Sequence, residues 1–132
     1  MLKGPIHQCC GARMLRLYGR EVLIVEDHPL MLVEIADALR KVGAKPMTAG
    51  TLEQALTALE HDSFAAAILD HLPDGGSAML CKKLEERDIP VVIYSGRETF
   101  NGHCLNATVV DKTASTEELI AAVENLLPAE MA

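Results

Sequence analysis

Three carboxylates, a hydroxyl and an ammonium stand at the ends of apolar runs in this chain. Glu26 and Asp27 follow Val22-Leu23-Ile24-Val25, and Asp70 follows Ala65–Leu69. Ser95 follows Pro90–Tyr94, and Asp111-Lys112 follows Thr108–Val110. Short runs that are apolar throughout are the pattern of strands buried on both faces. If such strands lie parallel in one sheet, their carboxyl ends share an edge, and open α/β sheets bind ligands at that edge. Four strands then deliver acid, acid, hydroxyl and ammonium to one place. Two carboxylates ~4 Å apart repel by about 4 kcal/mol at an effective dielectric of ~20, so Glu26, Asp27 and Asp70 resist ionising together. A hard divalent cation relieves this, and Mg²⁺ suits one or two carboxylates completed by waters and a phosphoryl oxygen. Metal, ammonium and hydroxyl around a carboxylate form a cradle for a phosphoryl group.

The elements that must position these groups alternate along the chain. After the strand at 22–25, Pro29 opens a helix on Leu32, Ile35, Ala36, Leu39 and Val42, which Gly43 stops. Lys45–Ala49 is a weak strand, and Pro46 assigns it to a sheet edge. Thr51-x-x-Gln54 is a capping box that opens a second helix. Strand 65–69, a loop at Pro73-Asp74-Gly75-Gly76, helix Ser77–Arg87 and strand 90–94 follow. Residues 96–107 show no helical period, which predicts that a helix is short or absent there. A strand at 108–110 and a helix opened by the capping box Ser115-x-x-Glu118 and ended by Pro128 complete the series. Alternating β and α elements with doubly apolar strands imply an α/β fold, a parallel sheet covered by helices on both sides. Residues 1–19 read as an irregular leader, 20–128 as one domain and 129–132 as a tail.

Composition narrows the function. The chain has 132 residues, with 12 Lys and Arg against 19 Asp and Glu, a net charge of −7. That balance argues against nucleic acid or an anionic membrane as partner. No apolar run approaches the ~18 residues of a membrane span, and no secretory signal precedes the domain. Cys9, Cys10, Cys81 and Cys104 have no metal-ligand spacing. Reduced thiols and a cytoplasmic setting are expected from them. No glycine-rich phosphate loop follows a strand, which excludes the common nucleotide folds.

In combination, four segments resemble the receiver domain of bacterial two-component response regulators, over about Arg20 to Leu127. They are Val22–Pro29, Ala67–Gly76, Val91–Gly96 and Val109–Lys112. The resemblance implies a flavodoxin-like three-layer sandwich with five parallel strands in the order 2-1-3-4-5. It implies that Asp70 accepts a phosphoryl group from a histidine kinase or a phosphotransfer protein. Glu26, Asp27, Asp70 and the carbonyl of Leu72 would hold Mg²⁺, Ser95 would hydrogen-bond the phosphoryl group, and Lys112 would pair with one of its oxygens. Conformational change would then signal to a downstream protein target. With four residues after Pro128, the expectation is a stand-alone, CheY-like response regulator and not an enzyme, apart from self-catalysed phosphorylation and dephosphorylation.

The chain departs from that family at three points. Thr113 replaces the proline that usually follows the lysine, and Val109 stands where a Tyr or Phe usually serves as a switch. Ser95 and Lys112 are only 17 positions apart. The short connection is similar to that of an alphaproteobacterial subgroup, whose Phe-Ala-Thr-Gly would correspond to Ile93–Gly96. The alternative function is a phosphorylation-independent pseudo-receiver, an interaction module on the same fold. An aspartyl phosphatase is disfavoured, because the position of its second acid is Leu72. Simpler roles are also open to single residues. Glu26 and Asp27 could cap the Pro29 helix. His28 and His71 read as solvent-facing, and Tyr94 as packing beside its strand.

Overall fold

The computed structural model describes residues 16–70, 76–95, 107–111 and 113–127, with the backbone alone at 76, 77 and 95. The strands are β1 (Glu21–Val25), β2 (Lys45–Ala49), β3 (Ala66–Leu69), β4 (Val91–Ser95) and β5 (Thr108–Asp111). They pair in parallel in the order β2-β1-β3-β4-β5. The described helices are α1 (Pro29–Lys41), α2 (Leu52–His61), α3 (Gly76–Glu86) and α4 (Thr116–Leu126). This is the expected flavodoxin-like sandwich, with each boundary within a residue or so of the sequence reading. The short or absent helix expected at 96–107 lies outside the described residues, except for Ala107.

Strand alternation sorts the core into two halves. Val22, Ile24, Ala66, Ile68, Val92 and Tyr94 pack with α1 and α4 through Ile35, Leu39, Leu119 and Val123. Leu23, Val25, Ala67, Leu69, Val91 and Ile93 pack with α2 and α3 through Ala55, Leu59, Leu80 and Leu84. The central strands are therefore buried on both faces, which is why they read as unbroken apolar runs. β2 is an edge, as Pro46 requires. The Lys45 amide donates inward to the Arg20 carbonyl at 2.8 Å, so the nitrogen of Pro46, next along the strand, faces away from β1.

Local chemistry closes the helix ends. Thr51 Oγ1 accepts from the Gln54 amide at 3.1 Å, while Gln54 Oε1 accepts from Gly50, one residue before the cap, at 2.7 Å. Ser115 and Glu118 form the full reciprocal box, with bonds of 3.1 and 3.2 Å. Arg87 Nη1 donates to the Leu59 carbonyl, satisfying an acceptor in the last turn of α2. In α1 the cap residue is His28, whose side chain makes no capping bond, and Pro29 follows in the first turn. Glu26 meets the start of α1 at the amide of that cap residue.

Two findings differ from the sequence reading. The end of the supposed leader is built into the fold. Arg16 and Leu17 are helical, and Leu17 is fully buried. Arg16 Nη1 donates to the Glu124 carbonyl, and the Gly19 amide donates to the Gly43 carbonyl. Gly43 has φ +86°, and a Cβ there would lie 2.2 Å from the Tyr18 ring. Leu17 had no periodic neighbours to reveal it. The second finding concerns the thiols: Cys81 is disulfide-bonded, to a partner outside the described residues. The expectation of reduced thiols is corrected for this residue. Spacing could not show the bond, because pairing depends on tertiary approach. Among the described residues no helix is long and apolar enough to cross a membrane.

Truncating Leu17 to Ala should cost about 2–5 kcal/mol, the usual range for a fully buried leucine. Urea unfolding should show this as a lower midpoint at unchanged slope. A change under about 0.5 kcal/mol, the scale of surface substitutions, would mean that Leu17 lies outside the cooperative unit.

Candidate functional site

Register brings the acids together. Val25 pairs with Leu69 across β1 and β3, so the next residues, Glu26 and Asp70, leave the sheet side by side. The Asp70 amide donates to the Val25 carbonyl at 2.9 Å, and the Glu26 amide to the Ala49 carbonyl at 3.0 Å. Both strands are thus held by the ladder up to their last residue. Asp27 begins the turn into α1. Carboxylate oxygens of Glu26, Asp27 and Asp70 all lie within 4.8 Å of one another.

The three acids differ in environment. Glu26 is 2% exposed and Asp70 9%, whereas Asp27 is open to solvent. Glu26 Oε2 accepts from the His28 amide at 3.2 Å, which turns its carboxylate back toward the site. At 4.8 Å, two such charges repel by about 1 kcal/mol in water and about 3.5 kcal/mol at an effective dielectric of ~20. The donors are all hard oxygens, and two oxygens on opposite sides of a Mg²⁺-sized ion stand about 4.2 Å apart. The cluster is near that spacing and could hold one hard divalent cation, with Asp27 on the open side. Carboxylates and not imidazoles form it: His28 is exposed, as expected, and is not one of its ligands.

The remaining expected site residues are described in part. Ser95 is the last residue of β4, and its backbone is level with Asp111. Lys112 and Leu72 lie outside the described residues, as does His71. The residues on either side of Lys112 are tied together. Asp111 Oδ1 accepts from both the amide and the hydroxyl of Thr113, at 2.9 and 3.0 Å, and the Ala114 amide donates to the Asp111 carbonyl. Tyr94, 3% exposed, packs in the core as expected, and its hydroxyl donates to the Ala114 carbonyl at 3.0 Å. Val109, at the position of the usual aromatic, is 66% exposed. Sequence reasoning missed the His28 amide and the Tyr94 hydroxyl. It could have found the Thr113 clip, because Asp-x-Thr after a strand is a side-chain turn signal.

A fold of this order, with a triad of acids at the carboxyl edge of its central strands, defines a class, and comparison with known proteins names it. Residues 22–124 match the family model of the response regulator receiver domain. The chain belongs to that family, the phosphoacceptor signalling domains of two-component systems. It is 32% identical over 103 residues to the sensor protein TorS of Escherichia coli (strain K12), a match covering 76% of this chain and 11% of that protein. The CheY-like receiver domain protein of Methanospirillum hungatei JF-1 superposes with a TM-score of 0.73 at 22% identity, over 82% of this chain and 93% of that one. Chemotaxis response regulator CheY4 of Vibrio cholerae gives 0.72 at 20% identity, over 83% and 99%.

If the triad is a cation site, a divalent cation at about 100 times its dissociation constant should stabilise the fold by about 2.7 kcal/mol. Asp27→Asn should remove most of that gain while raising the cation-free melting temperature, since one repelling charge is lost. Thermal unfolding at low ionic strength with a Mg²⁺ or Mn²⁺ titration tests both effects. An equal gain in the two proteins would exclude the triad as the site.

Proposed function

We propose that this domain is a Mg²⁺-dependent phosphoryl acceptor, with Asp70 as the residue that takes the group. The observation that carries the proposal is the convergence of Glu26, Asp27 and Asp70 within 4.8 Å at the ends of β1 and β3. An oxygen of Asp70 would attack the phosphorus of a phosphohistidine. The new P–O bond would form as the P–N bond breaks, and the imidazole would leave with its electron pair. Bound Mg²⁺ would offset the charge of the carboxylates and the incoming phosphoryl oxygens. Glu26, Asp27, Asp70 and the Leu72 carbonyl are its proposed ligands. The Ser95 hydroxyl and the Lys112 ammonium are proposed to meet the other phosphoryl oxygens.

The donor in this reading is a histidine kinase or a phosphotransfer protein, and the output is a contact with a downstream protein target. The likeness to a region of a sensor protein supports a donor of that kind. So does the surface beside the acids. Leu30 and Val33, apolar and exposed on α1, the helix that follows Asp27, suit a protein contact. A groove of about 780 Å³ lies between α1 and α4, where Glu34 and Glu117 stand against Lys41 and Asp37 is paired with Arg40. That charge would favour a partner with basic side chains.

One observation favours a second reading, a phosphorylation-independent interaction module. Val109 offers no aromatic ring to move with the phosphorylated state. The acid triad favours the first.

Incubation with acetyl phosphate and Mg²⁺, followed by intact-mass and peptide analysis, should add one phosphoryl group on Asp70. Asp70→Asn should add none while remaining folded, and omission of Mg²⁺ should suppress the gain in the native chain. Full labelling of the Asn variant would assign the acceptor elsewhere. A folded, cation-binding native chain that takes no group from acetyl phosphate or from any histidine donor would favour the interaction module.

A further inference from the structure

Tyr94 occupies a position from which movement at the acid edge can be passed on. It directly precedes Ser95 at the carboxyl end of β4. By register it is level with Asp70, since Leu69 pairs with Ile93. Its ring is buried in the same core half as Leu119, Ile120 and Val123 of α4. Its hydroxyl reaches 20 positions along the chain to the Ala114 carbonyl.

What it holds there is stiff. Asp111 Oδ1 accepts two bonds from Thr113, and the Asp111 carbonyl accepts from the Ala114 amide. The next residue, Ser115, is the cap of α4 and carries its full capping box. From Asp111 to the first turn of α4, the described backbone is closed by side-chain and main-chain bonds at each step. A proline at 113 could not supply the amide half of the clip. Thr113 and Tyr94 thus both bond into the same turn.

We propose that Tyr94 is a positioning residue whose hydroxyl couples the end of β4 to the turn entering α4, so that α4 responds to phosphorylation of Asp70. The inference rests on the acceptor reading above. A displacement of the Ser95 backbone moves Tyr94 with it, because the two are adjacent in one strand. The hydroxyl then pulls on Ala114, and the clipped turn passes that pull to the helix and does not absorb it. An exposed Val109 cannot carry this signal through a buried contact, whereas Tyr94 is buried and bonded.

The test uses the full chain, acetyl phosphate with Mg²⁺, and hydrogen exchange of peptides covering 113–120 in the phosphorylated and unphosphorylated states. Tyr94→Phe keeps the ring and removes the hydroxyl. It should accept the phosphoryl group to the native extent, yet the phosphorylation-dependent change at 113–120 should shrink about fivefold or more, the lower end of typical coupling. A residue that only packed would shift both states alike and leave that difference intact. Thr113→Val, at an exposed position, should shrink it in part, and this variant decides the matter if the Phe variant fails to fold. An undiminished difference in the folded Phe variant, or in Thr113→Val when it alone folds, overturns the coupling. Loss of labelling in the Phe variant alone also overturns it, by placing the hydroxyl in the chemistry itself. A native chain that takes the group without change at 113–120 overturns the coupling and spares the acceptor reading. A native chain that takes no group overturns both.

Discussion

The parallel pairing of β1 with β3 is the constraint on which the site depends. Each residue of one strand has a fixed neighbour on the other, so the last paired residues, Val25 and Leu69, decide which side chains emerge together. A slip of one residue would turn Glu26 or Asp70 to the opposite face and separate the acids. What prevents the slip is the apolar content of both strands. Val22 and Ile24 must meet one helix layer while Leu23 and Val25 meet the other. Burial on two faces leaves no alternative register that keeps the core intact. The hydrophobic core thereby fixes the distance between carboxylates that themselves repel.

That repulsion is held in place by backbone groups. Glu26 is deep, and the His28 amide bonds its carboxylate from the start of α1. The extended conformation of His28 and the Pro29 that follows set that amide in position. The same residues that begin the helix therefore orient a member of the triad. A loop without this geometry would let the carboxylate turn to water, where the charge is better solvated. Concentrating three acids within a few ångströms, two of them buried, sets site chemistry against stability.

How much of this was legible follows from how local each feature is. The five strands and the acid triad were readable, because a polar residue at the end of a doubly buried strand is conspicuous, whereas the strand order came from the family resemblance. Pro46 marked its own edge, and Ser115-x-x-Glu118 announced a cap that is present in full. The burial of Leu17 was not readable, since it comes from contact with helices and strands far along the chain and not from any neighbouring pattern. The same holds for Arg87 on the Leu59 carbonyl, and for Tyr94, whose aromatic ring signalled packing while its hydroxyl found a partner 20 positions away. The Cys81 bond was missed for a related reason: sequence spacing reports local ligand geometry, not long-range approach. Leu72 was named from the resemblance alone and Lys112 first from its place after a strand; both lie outside the described residues.

The placement of Pro46 has a consequence for how copies of this protein meet one another. Along β2 the amides of Lys45 and Met47 point toward β1, so only the residues at 46 and 48 could offer an N–H outward. Proline has none, which leaves Thr48 as the single outward donor of the strand. A foreign strand approaching this side would find half of the expected donors missing. Ordered stacking of sheets through β2 is thereby discouraged by one ring, at a position where the native fold loses no hydrogen bond.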